Sequence, residues 1–181
     1  MKTESTVLYV LRLALTLLAI TAVVAAALAG VNSITKPEIE KLTAQKTQAA
    51  IEAVLPGGGE VVEFPETALV SKVYASETGY AVEVTPGGFD NTITMMVGVD
   101  KEGNVLGIDI ISHTETAGLG AVADAATPAG VSFREQFAGK AGSVSVTKDG
   151  GEIEAITGAT ITSRAVCAGV NAALEVVGKM G

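Results

Sequence analysis

The sequence predicts an α+β fold in which an antiparallel sheet is flanked by helices and preceded by a single N-terminal transmembrane helix. Three observations lead to this prediction. A long apolar stretch opens the chain, short alternating segments separated by turn residues fill its middle, and a segment with apolar residues at helical spacing closes it. A chain of 181 residues has room for one membrane helix and one compact domain.

Composition excludes several classes of protein. The formal net charge is −8, and an acidic protein repels phosphate backbones, so we expect no nucleic-acid partner. The chain has one cysteine and one histidine, which leaves no internal disulfide and no multi-ligand metal centre of the zinc type.

Residues 7–31 predict the membrane anchor, because they contain one charged residue, Arg12, and suit a hydrocarbon core about 30 Å thick. Lys2 and Arg12 favour a cytoplasmic N-terminus at residues 1–6 and a domain on the extracytoplasmic side of the cell membrane. Lys36, Lys41 and Lys46 follow the stretch and favour the opposite orientation in the membrane. A cleaved signal peptide remains an alternative, since residues 27–30 read Ala-Leu-Ala-Gly, a small-x-small pattern typical of cleavage sites.

Residues 32–60 predict an amphipathic connecting helix. Thr35 is a candidate N-cap with Glu38 three residues on and Pro37 in the first turn. Apolar residues then recur at roughly helical spacing until Pro56 and the three glycines after it, which predict the end of the helix.

The remaining segment, 61–181, predicts the domain. Alternating apolar residues and intervening turns predict four strands, namely Ala68–Ala75, Tyr80–Thr85, Thr92–Val99 and Val105–Ile111. Further elements predicted along the chain are a short helix at Phe133–Phe137, two short strands at Val144–Thr147 and Ile153–Ile156 around a hairpin turn at Asp149-Gly150-Gly151, and a final helix at Ser163–Val177.

The segment between the last predicted strand and the final helix is the candidate site. It reads Thr157-Gly158-Ala159-Thr160-Ile161-Thr162-Ser163-Arg164. A helix that begins at about Thr162 would direct free backbone N–H groups toward an anion, and Arg164 would add a charge-assisted contact. On these residues alone, an ordinary cap and turn is the more common explanation of the pattern.

The stretch Thr157-Gly158-Ala159-Thr160 resembles the S/T-G-A-T motif of FMN-binding domains, which hold flavin through a threonine phosphoester. A second stretch, residues 113–120, reads His-Thr-Glu-Thr-Ala-Gly-Leu-Gly and follows the same family's order. The motifs together, with one anchor and one short domain, resemble most closely the G subunits of Rnf-type complexes. Rnf-type complexes are membrane ferredoxin–NAD oxidoreductases that translocate ions.

The resemblance implies a role for each residue of the first motif. Thr160 would be esterified to the FMN phosphate, while Thr157, Gly158 and Ala159 would shape the turn around it. Thr162 is the second choice for attachment, and Arg164 would contact the phosphate. Where the family usually has Asp three residues before the motif, this chain has Glu154.

The second motif would contact the flavin ring. Gly118 and Gly120 would allow close approach of the backbone, Leu119 would cover the ring, and Glu115 and Thr116 would offer polar contacts. His113 has two interpretations, a hydrogen bond or proton relay beside the flavin and a polar residue that closes a strand.

The resemblance also implies the function and the partners. The chain would relay electrons through covalent FMN as one subunit of an oxidoreductase, without being an independent catalyst. Its partners would be membrane subunits that carry flavin and iron–sulfur centres, and a flavin transferase would attach the FMN. Two alternatives remain: the C subunit of a Na-translocating NADH–quinone reductase, and a membrane-anchored binding module without flavin.

Overall fold

A computed structural model describes residues 2–180, with side chains from Val7 onward. The helices are α1 (Lys2–Val54), α2 (Pro128–Glu135) and α3 (Thr160–Met180). The strands are β1 (Glu60–Val62), β2 (Val70–Ala75), β3 (Gly79–Val84), β4 (Thr94–Asp100) and β5 (Val105–Ser112), and two 3-10 turns cover Gly120–Ala123 and Thr147–Asp149. The predicted cytoplasmic segment 1–6 lies outside the described residues, apart from the helical backbone of residues 2–6.

The five strands form one antiparallel sheet in the order β1-β2-β3-β4-β5, so each strand pairs with its neighbour along the chain. The predicted α+β class is confirmed. The four predicted strands are found with ends shifted by at most two residues, and β1 is an additional edge strand. Such shifts are expected where alternation fades into a turn.

The residues of β4 show how the sheet divides its two faces. Met95, Val97 and Val99 belong to the core cluster that includes the buried residues of α3, whereas Met96 belongs to the cluster of α1 residues 50–54. This alternation is the two-residue period of a strand, here buried on both faces. The sheet therefore separates two apolar layers, and α3 lies against the larger one.

The helix predicted to begin at Thr35 is not a separate element, because α1 runs unbroken through Pro37. The Thr35 hydroxyl donates a hydrogen bond to the Val31 carbonyl oxygen at 3.0 Å, one turn back along the helix. An N-cap instead uses its side-chain oxygen to accept bonds from N–H groups ahead of it. The prediction of a cap at Thr35 was therefore wrong.

Two compact units divide the chain, one ending at Ala44 and the other beginning at Gln45. The first unit is helical and carries exposed apolar side chains along its length, among them Leu8, Leu18 and Leu28. A stretch of this length and apolar character suits a membrane span.

The strands predicted at Val144–Thr147 and Ile153–Ile156 are also wrong. These segments share a single parallel bridge, between Val146 and Ile153, and the chain between them makes a 3-10 turn rather than a hairpin. Val144 pairs instead with the side chain of Asn171 on α3, through its N–H at 2.8 Å and its carbonyl at 2.9 Å. The apolar pattern reflects burial against α3, which a strand and an irregular segment share.

We expect Gly98→Val to destabilise the domain. A Cβ at Gly98 would overlap the carbonyl oxygen of Val54 and lie 2.9 Å from the Val54 Cβ. Overpacking against backbone costs about 1–3 kcal/mol. The measurement is denaturant unfolding of the detergent-solubilised chain.

Gly107→Val is the matched control for this substitution, because Gly107 pairs with Gly98 across the sheet and has open space where a Cβ would lie. Equal losses of stability in the two variants would contradict the proposed close approach of Val54.

Candidate functional site

A pocket of about 280 Å³ opens beside the N-terminal end of α3. Its lining comes from loops that are far apart in the sequence and from the first turn of α3. The lining residues are Phe89, Glu115, Thr116, Leu119, Gly120, Lys148, Gly158, Ala159, Thr160, Ile161 and Thr162. The two motifs singled out in the sequence therefore meet at one pocket.

The turn that precedes α3 presents Thr160 as the first residue of the helix, two residues earlier than the sequence indicated. Gly158 adopts a φ of +77°, in the left-handed region that favours glycine. Ser163 closes the turn, because its hydroxyl donates to the Ala159 carbonyl at 2.9 Å and accepts from the Ile156 N–H at 3.0 Å. The first N–H groups of the helix, which lack partners within it, thus lie at the pocket.

Thr160 and Thr162 have different surroundings, although both line the pocket. Thr162 is only 2% exposed, and its hydroxyl donates a hydrogen bond to Oε2 of Glu115. Thr160 is half-buried, and its Oγ1 lies 3.2 Å from Nζ of Lys148. Thr162 therefore serves an internal contact, whereas the hydroxyl of the less buried Thr160 lies beside a cation.

Glu115 is a buried carboxylate that joins three segments of the pocket wall. The residue is 7% exposed. Its Oε1 accepts hydrogen bonds from the backbone N–H groups of Phe89 at 2.8 Å and Asp90 at 3.3 Å, and its Oε2 accepts from Thr162. Charge-assisted bonds of this kind are stronger than neutral ones. Both carboxylate oxygens are therefore engaged inside the protein, whereas the sequence predicted contacts to a ligand ring.

Arg164 does not reach the pocket, in contrast to the predicted phosphate contact. Its guanidinium donates two hydrogen bonds to Asp149, at 2.7 Å from Nε and 2.6 Å from Nη2. This bidentate pair lowers the pKa of the Asp149 carboxyl, chiefly through the hydrogen bonds from Arg164. The physical reason for the difference is local, because the 3-10 turn brings a carboxylate within reach of the guanidinium. The basic residue at the pocket is instead Lys148, next to Asp149 in the chain.

Three other predicted residues lie beside the pocket rather than in its wall. His113 accepts a hydrogen bond at Nδ1 from the Glu115 N–H at 3.2 Å, and its Nε2 lies 3.7 Å from Oδ2 of Asp124. Gly118 and Thr157 line a neighbouring groove of about 340 Å³. His113 thus supports the loop that carries Glu115, which agrees with its structural interpretation; a proton relay stays a prediction.

Sequence reasoning missed three residues of the wall, namely Phe89, Lys148 and Ile161. Phe89 follows two glycines that were interpreted only as a separator between strands, and Lys148 precedes the glycines interpreted as a hairpin turn. Ile161 lies inside the motif but was given no role. The signals in the sequence were weak, namely an aromatic residue after a glycine pair for Phe89 and a single lysine before a turn for Lys148.

Comparisons with known proteins agree with this location. The model of the family described as FMN-binding domain matches residues 88–175, a range that contains every residue of the pocket wall. The G subunit of the Na⁺-translocating ferredoxin:NAD⁺ oxidoreductase complex of Acetobacterium woodii is 35% identical over 92% of this chain and 91% of its own length.

Two further relatives carry similar descriptions. The G subunit of the ion-translocating oxidoreductase complex of Methanosarcina acetivorans is 32% identical over 90% of this chain and 91% of its own length. The G subunit of the proton-translocating ferredoxin:NAD⁺ oxidoreductase complex of Clostridium ljungdahlii is 42% identical over 58% of each chain. Similarity therefore extends beyond the pocket to most of the chain.

We expect Glu115→Ala to destabilise the domain by about 1–3 kcal/mol, because it leaves the buried Thr162 hydroxyl and the backbone N–H groups of residues 89–90 without their acceptor. Glu77→Ala removes the same charge at an exposed turn and is the matched control. Denaturant unfolding of both variants measures the difference. Equal free energies of unfolding in the two variants would show that the Glu115 hydrogen bonds do not stabilise the domain.

Proposed function

The chain belongs to the family of G subunits of ion-translocating oxidoreductase complexes, and we propose that it carries FMN esterified to Thr160 and relays electrons within such a complex. In this role it is one subunit of an oxidoreductase and not an independent catalyst. The observation that carries the proposal is the meeting of Thr160, Lys148 and the two flavin motifs at one pocket.

The apolar side of the pocket fits a flat aromatic ring. Phe89, Leu119 and Ile161, which we call the apolar rim, line the pocket and remain 66%, 44% and 49% exposed. A ligand that covers large apolar side chains exposed to this extent removes apolar surface from water, which favours its binding. FMN would supply a ring that takes up and releases electrons, and the rim would hold that ring and exclude water from part of it.

The polar side of the pocket fits a phosphate. The first turn of α3 offers backbone N–H groups, and the helix dipole favours an anion at the same end. The Thr160 hydroxyl lies at this end of the pocket, beside Lys148. The two sides together match the two chemical ends of FMN.

Accessibility favours Thr160 over Thr162 as the residue esterified. The Thr162 hydroxyl is buried and bonded to Glu115, so a phosphoester there would break a contact of the pocket wall. The acidic residue ahead of the motif, Glu154, is exposed, and Gln136 pairs with both its N–H at 2.6 Å and its carbonyl at 3.2 Å. A flavin transferase would meet an ordered, exposed segment here.

The membrane arrangement follows from the N-terminal unit. Residues 7–31 would be retained as the anchor, residues 32–60 would connect it to the domain at 61–181, and the basic residues Lys2 and Arg12 favour a domain outside the cytoplasm. A covalent bond has a physical advantage there, because FMN that dissociates outside the cell is not readily replaced. Other membrane subunits with flavin and iron–sulfur centres would exchange electrons with the domain.

Thr160→Ala is expected to abolish covalent flavin. The chain is produced together with a flavin transferase, denatured and examined for flavin fluorescence in a gel and for the added FMN mass. Thr160→Ser, which keeps a hydroxyl, is expected to retain flavin, and Thr162→Val is expected to retain it as well. Undiminished covalent FMN on Thr160→Ala would rule out the proposed ester at this residue.

A further inference from the structure

We infer that Lys148 binds the phosphate esterified to Thr160 and that the Asp149–Arg164 pair positions Lys148 by holding its turn. The inference rests on the proposed function, because it concerns the same phosphoester. Among the residues that the structure describes in the pocket wall, Lys148 is the basic one. Its Nζ donates a hydrogen bond to Oγ1 of Thr160 at 3.2 Å.

The contact with Thr160 fixes where the ammonium group lies. An ester at Oγ1 replaces the hydroxyl proton by phosphorus, and the non-bridging oxygens of the phosphate then lie one bond further out. A lysine that already reaches Oγ1 needs only a small change of rotamer to reach those oxygens. Lysine is a common phosphate ligand, because its ammonium is a compact charge with three donors.

The 3-10 turn Thr147–Asp149 is held firmly enough to aim the lysine. The Thr147 N–H donates to the Ile153 carbonyl at 2.9 Å, and the Asp149 N–H donates to the Val146 carbonyl at 2.8 Å. Asp149 is in addition bound by both guanidinium donors of Arg164, which belongs to α3. Lys148 is thereby tied to the same helix that presents Thr160.

This arrangement assigns different roles to the two basic residues of the region. Arg164 is neutralised by Asp149 and acts on the site only by holding the turn, so it is a positioning residue. The hydrogen-bond partner of Lys148 is the neutral hydroxyl of Thr160, so Lys148 brings a positive charge to the pocket. A phosphodiester keeps one negative charge at neutral pH, and the buried Glu115 carboxylate lines the same pocket. A cation beside the phosphate offsets the repulsion between these two anions.

The test compares loaded and unloaded protein, because a lysine that serves only the fold would affect both equally. The full-length chain in detergent is prepared with and without co-produced flavin transferase, as wild type, Lys148→Met, Lys148→Arg and Lys101→Met. Lys101 lies in the exposed turn between β4 and β5 and is the matched control. Intact mass gives the fraction loaded with FMN, and thermal unfolding gives Tm for both forms.

We expect FMN to raise Tm in the wild type and the rise to be about 2–4 °C smaller in Lys148→Met, since loss of one charge-assisted contact acts only on the loaded form. The unloaded forms should differ in Tm by less than this, because there Lys148→Met loses only an exposed hydrogen bond to a neutral hydroxyl. Arginine at this position should restore the rise, and Lys101→Met should match the wild type. Failure of Lys148→Met to load, with the control loaded normally, would also support the inference.

The inference is overturned if Lys148→Met loads fully and shows the same rise in Tm as the wild type. It is overturned too if the substitution lowers Tm by the same amount in loaded and unloaded protein. Both outcomes leave the proposed function intact. Absence of FMN mass from wild-type protein co-produced with the transferase would instead count against the proposed function itself.

Discussion

Glu115 holds a carboxylate inside the protein, where a charge is costly unless its oxygens accept hydrogen bonds. Here those bonds come from the backbone of residues 89–90 and from Thr162 on α3. Two glycines make room for it, because a Cβ at Gly88 or Gly120 would overlap a Glu115 oxygen. This single side chain therefore links the loop that carries Phe89 to the N-terminal turn of α3.

The sheet provides the frame in which that contact forms. The antiparallel meander has an apolar cluster on each face, and α3 packs on the larger one, so the N-terminal end of α3 is brought to the loops that follow β3 and β5. The 3-10 turn is fixed to α3 by the Asp149–Arg164 pair. Each wall of the pocket is thus anchored to α3, and the site inherits the rigidity of the core rather than that of its loops.

The sequence was most informative about features that depend on neighbouring residues, such as strand alternation and short motifs. Alternation located four of the five strands within two residues but also predicted two strands that are absent, and the resemblance of two motifs located most of the pocket wall. Long-range contacts escaped prediction. Nothing local shows that Arg164 pairs with Asp149, that Glu115 binds the backbone of Phe89, or that Lys148 reaches Thr160. Pro37 led to a wrong helix start, because proline is typical of a first helical turn, whereas here it lies in the interior of α1.

The bond between Thr160 and a flavin phosphate is the central claim, and peptide mass spectrometry of protein purified from its native membrane tests it most directly. Trypsin cleaves after Lys148 and Arg164, so the motif falls in one peptide, Asp149–Arg164. The account predicts that this peptide carries the mass of FMN less water and that its fragments place the addition on Thr160. A peptide of unmodified mass, or an addition located on another residue, would contradict the account.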